Sequence, residues 1–446
     1  MSDADAIVIG AGAGGLMGAL AAAHAGAQVL LLERDLAGPS NLLVSGGLFP
    51  GAGTRFQREA GIQDDAEAFA RDVRAKAGDC TNEAIVDAVA KRLTDTVHFL
   101  ADKAGLPIHV MSNIVAPGHR VARLHATPGE SGRELHRMLR EAVARQPRIR
   151  VVDSVEVTGL VREGDLFRVL PSGQRARSAL LATGGFAANR KLLEEFLPEM
   201  AAALHIGAGP NDGCAIVWGR QFGADVALMD GYQGQGHVNP GTGTRLGMAL
   251  PGLGAFMVNR EGRRFVREDV GPSELASFVL AQPGGVALEV FDRRIHDVVM
   301  RQGPYREAWN AGVVLAADDP AALARLAKID PVAFTGTFEA FARMARNGDP
   351  LGRKKFGPPL EPPLHAAWVT GALAHTQGGL AVDRRARVVR ADGTPVEGLF
   401  AAGGAAAGLA GRGGEGYLPG NGLAQSFGLG LIAGEEMAAA SLRLRA

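Results

Sequence analysis

The sequence predicts an α/β protein: a discontinuous, doubly wound parallel-sheet domain with an inserted α+β cap domain. Three observations lead there. A strand–glycine turn–helix–strand segment opens the chain, a glycine-rich strand–turn–helix segment closes it, and residues 235–372 have a different texture from both.

The opening elements follow from residue type. Residues 6–9, Ala-Ile-Val-Ile, form an apolar run suited to a buried parallel strand. Gly10, Gly12 and Gly15 then stand at G-x-G-x-x-G spacing around Ala13 and Gly14. The first glycine permits the tight turn, the second lets the backbone approach a pyrophosphate, and the third lets helix and strand pack closely. Residues 14–25, rich in Ala and Leu, read as the helix whose N-terminal N–H groups face phosphate. A second apolar strand, 28–32, ends in Glu33, 18 positions after Gly15. An acid there accepts ribose hydroxyls and disfavours a 2′-phosphate, so the pattern is a Rossmann-like dinucleotide site that does not suit NADP.

The middle of the chain continues the alternation. Helical periodicity runs through 64–104 and 131–146, with strand-like runs at 150–157 and 167–170. Ala182-Thr183-Gly184-Gly185 ends a further strand. Strand-like pieces at 254–259 and 286–291 alternate with helical ones at 318–328 and 331–346. The last helix is expected at 422–440. The domains read as 1–234 and 373–446 for the nucleotide domain, with 235–372 as the cap.

Composition narrows the function. The 446 residues carry zero formal net charge, so no general pull toward nucleic acid or anionic membrane is implied. The only cysteines, Cys80 and Cys214, form no C-x-x-C, which argues against a disulfide framework and a metal site. No charged n-region precedes the first strand, and Glu435 and Glu436 interrupt the apolar tail. A cytoplasmic protein with neither signal peptide nor membrane span is expected.

These residues together resemble the FAD-dependent flavoproteins of the fumarate reductase and succinate dehydrogenase type, a superfamily that includes the 3-ketosteroid dehydrogenases. The likeness is carried by Gly10–Gly15 with Glu33, Ser40-Asn41 with Ser45-Gly46-Gly47, and Ala182–Gly185. It continues through Asn211-Asp212-Gly213, Val258–Phe265, His375–Gly379 and Gly398–Gly403. The resemblance implies an extended FAD. Its pyrophosphate would lie on Gly12–Gly15 and its ribose on Glu33, next to Arg34. Adenine would meet the backbone of 156–157, Val157 included, and Ser45–Gly47 would lie near the flavin ring. Gly403 and Gly404 would flank the cofactor, and Gly420, Asn421, Gly422 and Leu423 would meet the pyrimidine end. A helix N-terminus there suits the negative charge that builds near flavin N1–O2 on reduction. Non-covalent attachment is implied, since no histidine stands in 36–50. Asn211 and Asp212 also read as a helix start.

Departures from the family pattern bear on substrate. Fumarate reductases clamp a dicarboxylate with two histidines and two arginines, one of which delivers the proton. His237 resembles the first histidine and His375 matches the second. No arginine stands before Glu274-Leu275-Ala276-Ser277, where the proton donor is expected. Tyr417, in Tyr-Leu-Pro-Gly-Asn, replaces the other arginine, and Arg412 lies five positions upstream. A guanidinium binds carboxylate bidentately, whereas a phenol gives one neutral hydrogen bond suited to a carbonyl or enolate. Tyr417 before a Pro-Gly turn resembles the ketosteroid dehydrogenase arrangement. The expected reaction is hydride transfer between flavin N5 and a C–C bond next to a carbonyl, as dehydrogenation or ene reduction. Two alternatives stand beside it. One is a reductase of an unsaturated carboxylate, with Arg412 or Arg267 recruited; the other is a flavin-binding partner subunit. Tyr232, Tyr305, Ser273 and Glu274 are further acid/base candidates. The substrate is a small molecule, and the electron partner stays open among NAD(P)H, a quinone, a diffusible carrier and oxygen.

Overall fold

The structure, a computed structural model, describes residues 3–443; the first two residues and the last three lie outside it. The chain forms two compact units. The first comprises Met1–Leu192, Gly207–Tyr232 and His375–Ala446, and the second Leu193–Ile206 and Gln233–Ala374.

The first unit is built on a six-stranded sheet. Its order is Arg387–Val389, Pro395–Ala401, Ser178–Leu181, Ala6–Ile9, Val29–Leu32, Ile149–Val152. All but the first pair are parallel, with Ala6 opposite both Ser178 and Val29. The central strands are buried at every position, as four-residue apolar runs require when both faces are covered. The Ala13–His24 helix is buried except at His24, and the Asn421–Arg443 helix packs along it. Small residues allow this approach: a Cβ on Gly430 would sit 2.7 Å from the Gly14 carbonyl oxygen. Three smaller antiparallel sheets accompany it: the meander Gly159–Glu163, Leu166–Leu170 and Arg175–Ala176, the trio Phe49–Pro50, Leu124–Ala126 and His109–Val110, and the pair Val226–Ala227 and Gly379–Leu380.

The sheet's outer strand stops at Val152 rather than continuing to 157. Asp153 Oδ1 accepts the Leu36 N–H at 2.8 Å, and Ser154 turns the chain with φ 59°. A side-chain hydrogen bond to backbone therefore ends a run that composition alone would extend.

Helices in this unit begin where side chains satisfy free N–H groups. Ser131 caps Gly132–Ala144 and Asp65 caps Ala66–Ala77. Arg123, fully buried, pairs with Asp64 at 2.8 Å and Asp72 at 2.6 Å. Beside it His125, also fully buried, shares a 2.9 Å bond with the Thr54 hydroxyl and another with the Arg123 carbonyl. Burial lowers the His125 imidazole from 6.5 to about 4. The unfolded chain takes up this proton below about pH 6.5 and the native state only near 4, so stability falls with pH across that window. His125→Gln is expected to remove about 3 kcal/mol of the stability lost between pH 7 and pH 4, measured by urea unfolding.

The second unit centres on a six-stranded sheet around the 13-residue strand Leu364–Thr376. Val286–Asp292, Leu315–Ala317, Tyr232–Val238 and Leu204–His205 pair with it, and Phe256–Val258 extends the sheet through Val286–Asp292. Phe256 stacks on Phe341 of the Pro331–Asn347 helix at 4.5 Å. Arg264 and Arg353, nearly or fully buried, share Glu268, while Asp349 takes the other side of Arg264. Such a network holds loop to sheet because removing one member strands the others' charges.

Candidate active site

The glycine turn after Ala6–Ile9 has the form of a phosphate cradle. Gly10 adopts φ 104°, and a Cβ there would overlap the Ala182 carbonyl. A Cβ on Gly15 would overlap the Gly10 carbonyl, and one on Gly14 would lie 2.9 Å from Gly403 N. Gly12 differs: nothing lies within 4 Å of where its side chain would point. No side chain caps the helix that begins at Ala13, so its first N–H groups face this open space. Glu33 closes the far side. Its Oε2 accepts the Ala11 N–H at 2.6 Å, and Oε1 accepts the Arg34 and Asp35 N–H groups at 2.7 and 3.1 Å. Lone pairs remain on its oxygens for ribose hydroxyls. The Arg34 guanidinium points outward, 3.9 Å from Glu156, and Val157 is half-buried nearby in sequence.

Several other expected cofactor residues hold loops in place. Ser40 caps the Asn41–Val44 turn, and the Ser45 hydroxyl accepts the Gly47 N–H at 3.1 Å. Gly46 has open space where a side chain would point, with only Leu48 at 3.7 Å. Asn41 Oδ1 accepts the Ala208 N–H at 2.8 Å, and its amide reaches Asn211 Oδ1 at 3.4 Å. Asp212 Oδ1 takes the Cys214 N–H at 3.0 Å, so Asn211-Asp212-Gly213 starts the Cys214–Gln221 helix. The Cys214 thiol donates to Thr183 Oγ1 at 3.2 Å, and burial pushes it up to about 12, so it stays a thiol. Gly184 and Gly403 both adopt positive φ, and a Cβ on Gly404 would sit 2.7 Å from Gly185 N.

The start of the Asn421–Arg443 helix carries the clearest sign that a ligand belongs there. Asn421 is fully buried, yet neither its amide oxygen nor its amide nitrogen has a hydrogen-bond partner. An unpaired buried amide costs about 1–3 kcal/mol. A planar heterocycle with alternating donors and acceptors, such as the flavin pyrimidine, matches that need. The open Gly12 cradle, Glu33 and Asn421 together fit FAD. Asn421→Leu is expected to raise the melting temperature of the cofactor-free protein while weakening FAD binding about tenfold, read by calorimetry and FAD titration.

His375 and Tyr417 lie beside this helix start. Their rings meet edge to face at 5.8 Å. A Cβ on Gly422 would stand 3.3 Å from His375 Cε1 and 3.5 Å from Nε2, so the imidazole lies over the helix's first turn. His375 Nδ1 lies 2.9 Å from the Gln377 amide nitrogen and 3.3 Å from the Thr376 carbonyl oxygen. Burial lowers the His375 imidazole below its ordinary value, so it is neutral at pH 7. Burial pushes the Tyr417 phenol up to about 12, against a smaller opposing pull from the Gly420 backbone. Both groups are therefore neutral at pH 7. Arg412 is not among them: its side chain is 72% exposed and pairs with Asp230 at 3.3 Å.

In the second unit His237, on Tyr232–Val238, is almost fully buried. Its Nδ1 lies 3.0 Å from both oxygens of Glu289, itself fully buried on Val286–Asp292. Other candidates there are engaged. The Ser273 hydroxyl bridges the Gly234 N–H and carbonyl, Glu274 Oε2 accepts the Gly271 N–H, and Tyr305 OH bonds His296 at 2.9 Å. Tyr232 is buried. Arg267 is exposed beside Asp269.

Two residues escape a reading of the sequence alone. Glu289 is the single acid in Val-Ala-Leu-Glu-Val-Phe before the strand's terminal Asp292, and that interruption of an apolar run was its signal. His136 sits on the buried face of the Gly132–Ala144 helix between Leu135 and Leu139, facing the Ala11 backbone and Glu33. It lines a cavity of about 580 Å³ with Leu16, Leu36, Leu43 and Arg140. Among the described residues no cluster of three or more metal-ligating side chains occurs, and no helix is long and apolar enough to cross a membrane.

Comparison with known proteins agrees with this geometry. Residues 5–423 match the FAD binding domain family. A probable fumarate reductase, Ifc3, of Shewanella frigidimarina is 27% identical over 97% of this chain and 74% of its own length. The open conformation of a flavocytochrome c3 fumarate reductase superposes with TM-score 0.83 at 26% identity, covering 98% of this chain and 78% of that one. A 3-ketosteroid-Δ4-(5α)-dehydrogenase from Rhodococcus jostii RHA1, solved with 4-androstene-3,17-dione, gives TM-score 0.76 at 25% identity over 98% of both chains. The chain therefore belongs to the FAD binding domain family, within the fumarate reductase and succinate dehydrogenase flavoprotein superfamily, and is an FAD-dependent oxidoreductase acting on carbon–carbon bonds.

Proposed function

We propose that the protein transfers hydride between FAD and a C–C bond adjacent to a ketone carbonyl, with Tyr417 and His375 holding the carbonyl oxygen. One observation carries the reading: the paired rings at the start of the Asn421–Arg443 helix are both neutral, and Arg412 turns away from them to Asp230. A neutral phenol and an imidazole N–H leave a carboxylate's charge uncompensated, but match a ketone oxygen that becomes an enolate oxygen. FAD when bound supplies the hydride acceptor or donor at N5.

The residues of the chain supply the rest. Gly12–Gly15 and Glu33 hold pyrophosphate and ribose, and Asn421, Gly422 and Leu423 meet the pyrimidine end. Tyr417 donates to the substrate oxygen, and His375 Nε2–H offers the second hydrogen bond. FAD is held without a covalent link, since residues 36–50 contain no histidine, cysteine or tyrosine. The free Cys80 and Cys214 thiols suit a reducing compartment, and a cytoplasmic setting is part of the same proposal.

A substrate panel tests this. With an artificial electron acceptor or donor, saturated cyclic ketones or their enones are expected to turn over at least about tenfold faster, by kcat/KM, than succinate or fumarate, because one lost charge-assisted contact is worth more than about 1.4 kcal/mol. Turnover of the dicarboxylate pair alone would refute the reading.

A further inference from the structure

A phenol that holds a substrate oxygen must keep its own proton free for that oxygen. For Tyr417 the turn that follows it decides this. Leu418, Pro419, Gly420 and Asn421 form a β-turn closed by the Asn421 N–H on the Leu418 carbonyl at 3.1 Å. Gly420 has φ 87°, the positive value that a type II turn requires at its third residue. A type I turn over the same ends differs by a flip of the central peptide, which exchanges the directions of the Pro419 carbonyl and the Gly420 N–H. Proline suits the second position of either turn, and glycine takes either sign of φ. These residues alone therefore leave the flip open.

His119 closes it. Its Nε2 lies 2.8 Å from the Pro419 carbonyl oxygen, and its Nδ1 lies 3.2 Å from Nη1 of Arg123. Each partner has a single role: a guanidinium only donates and a carbonyl only accepts. Nδ1 therefore carries the lone pair and Nε2 the proton, in a neutral ring whose burial lowers its proton affinity. Arg123 is held in turn by Asp64 at 2.8 Å and Asp72 at 2.6 Å, and Asp72 also accepts the Arg120 N–H at 3.0 Å, next to His119. The two loops fit closely: Leu418 is fully buried, and a Cβ on Gly118 would come within 2.7 Å of it. With the carbonyl end of the peptide tied to His119, the Gly420 end faces the Tyr417 phenol. Burial pushes that phenol up, and the Gly420 backbone N–H pulls it partly back. An N–H toward the phenol oxygen leaves the phenol proton unspent, whereas a carbonyl there would take it.

We propose that His119 is a positioning residue for Tyr417. By holding the Pro419 carbonyl it fixes the Pro419–Gly420 peptide with its N–H toward the phenol oxygen, and so reserves the phenol proton for the substrate. This rests on the role of Tyr417 proposed above. In the flipped turn the Pro419 carbonyl would accept the phenol proton, and Tyr417 would meet the substrate oxygen with a lone pair. His119 acts through one peptide group, and every residue involved lies within the first unit. Sequence gives no sign of the link, because 300 residues separate His119 from Pro419.

The test is a double-mutant cycle on FAD-loaded protein, with the fastest ketone of the substrate panel above. His119→Leu is expected to lower kcat about tenfold or more with KM and FAD content nearly unchanged. His119→Gln, whose amide N–H has a similar reach, is expected to recover most of that loss. In a Tyr417→Phe background His119→Leu is expected to change kcat by less than about twofold, since no phenol proton is left to direct. Unchanged kcat in His119→Leu, while Tyr417→Phe is slow, would overturn the inference and leave the ketone reading standing. A full further loss in the Tyr417→Phe background would also overturn it, because His119 would then act by another route. A Tyr417→Phe enzyme as fast as wild type would remove the ketone reading, and this inference with it. Should His119→Leu not fold, the 15N-histidine spectrum of the wild type decides, with His119 assigned by its loss in His119→Gln. Nε2 protonated and Nδ1 bare is expected, and a proton on Nδ1 overturns the inference.

Discussion

Tyr417→Phe is expected to lower kcat/KM for a ketone substrate by about 10²–10³-fold while leaving FAD content and melting temperature unchanged. The change removes one oxygen and keeps the ring. The edge-to-face contact with His375 at 5.8 Å survives, so the imidazole stays over the first turn of the helix. What is lost is a donor that burial keeps protonated at any working pH. Its hydrogen bond strengthens as the substrate oxygen gains negative charge, so the loss falls mainly on kcat rather than on KM. Steady-state kinetics on the purified holoenzyme checks this. A loss confined to KM would make Tyr417 a binding contact that is no stronger in the transition state.

Substitutions at Gly15 and Gly12 are expected to fail in different ways. Gly15→Ala places a methyl group into the Gly10 carbonyl, which forces strand and helix apart and is expected to cost several kcal/mol of stability, with little soluble protein. Gly12→Ala meets nothing within 4 Å. The cofactor-free protein is therefore expected to melt as wild type does, or slightly higher, because alanine restricts the unfolded chain. FAD binding is expected to fall by about tenfold or more, since the methyl occupies the space that a pyrophosphate needs. Comparison of melting curves with and without added FAD separates the two roles. Equal FAD affinity in Gly12→Ala and wild type would remove the phosphate from that turn.

The parts of the molecule that the sequence makes legible are those whose constraints are local. Gly10 and Gly15 are glycine because a Cβ would strike a backbone carbonyl, and such positions leave a fixed spacing in the chain. The Ala6–Ile9 and Val29–Leu32 strands read correctly because their runs are too short and too apolar for anything but a covered parallel sheet. The closing helix, expected at 422–440, spans Asn421–Arg443. Long-range features were hidden. The Leu364–Thr376 strand is buried on both faces over most of its length, so it shows no alternation, and a proline cluster precedes it. Residues 153–157 fail as a strand because Asp153 commits its carboxylate to the Leu36 N–H, far away in sequence. Of the candidate site, Tyr417 and His375 could be named from neighbouring motifs, but their mutual contact could not. Glu289 could not be paired with His237 from sequence at all, since 52 residues separate them and only the sheet brings them together.

Selection of a ketone over a carboxylate by two neutral groups at the start of the closing helix is open to a single-turnover measurement. Oxidised holoenzyme is mixed anaerobically with a saturated cyclic ketone, and separately with succinate. Rapid loss of the oxidised flavin's visible absorbance is expected with the ketone, slowed at least about 10²-fold in Tyr417→Phe, and no comparable change with succinate. Bleaching by succinate but not by the ketone, or a ketone reaction indifferent to Tyr417→Phe, would contradict that selection.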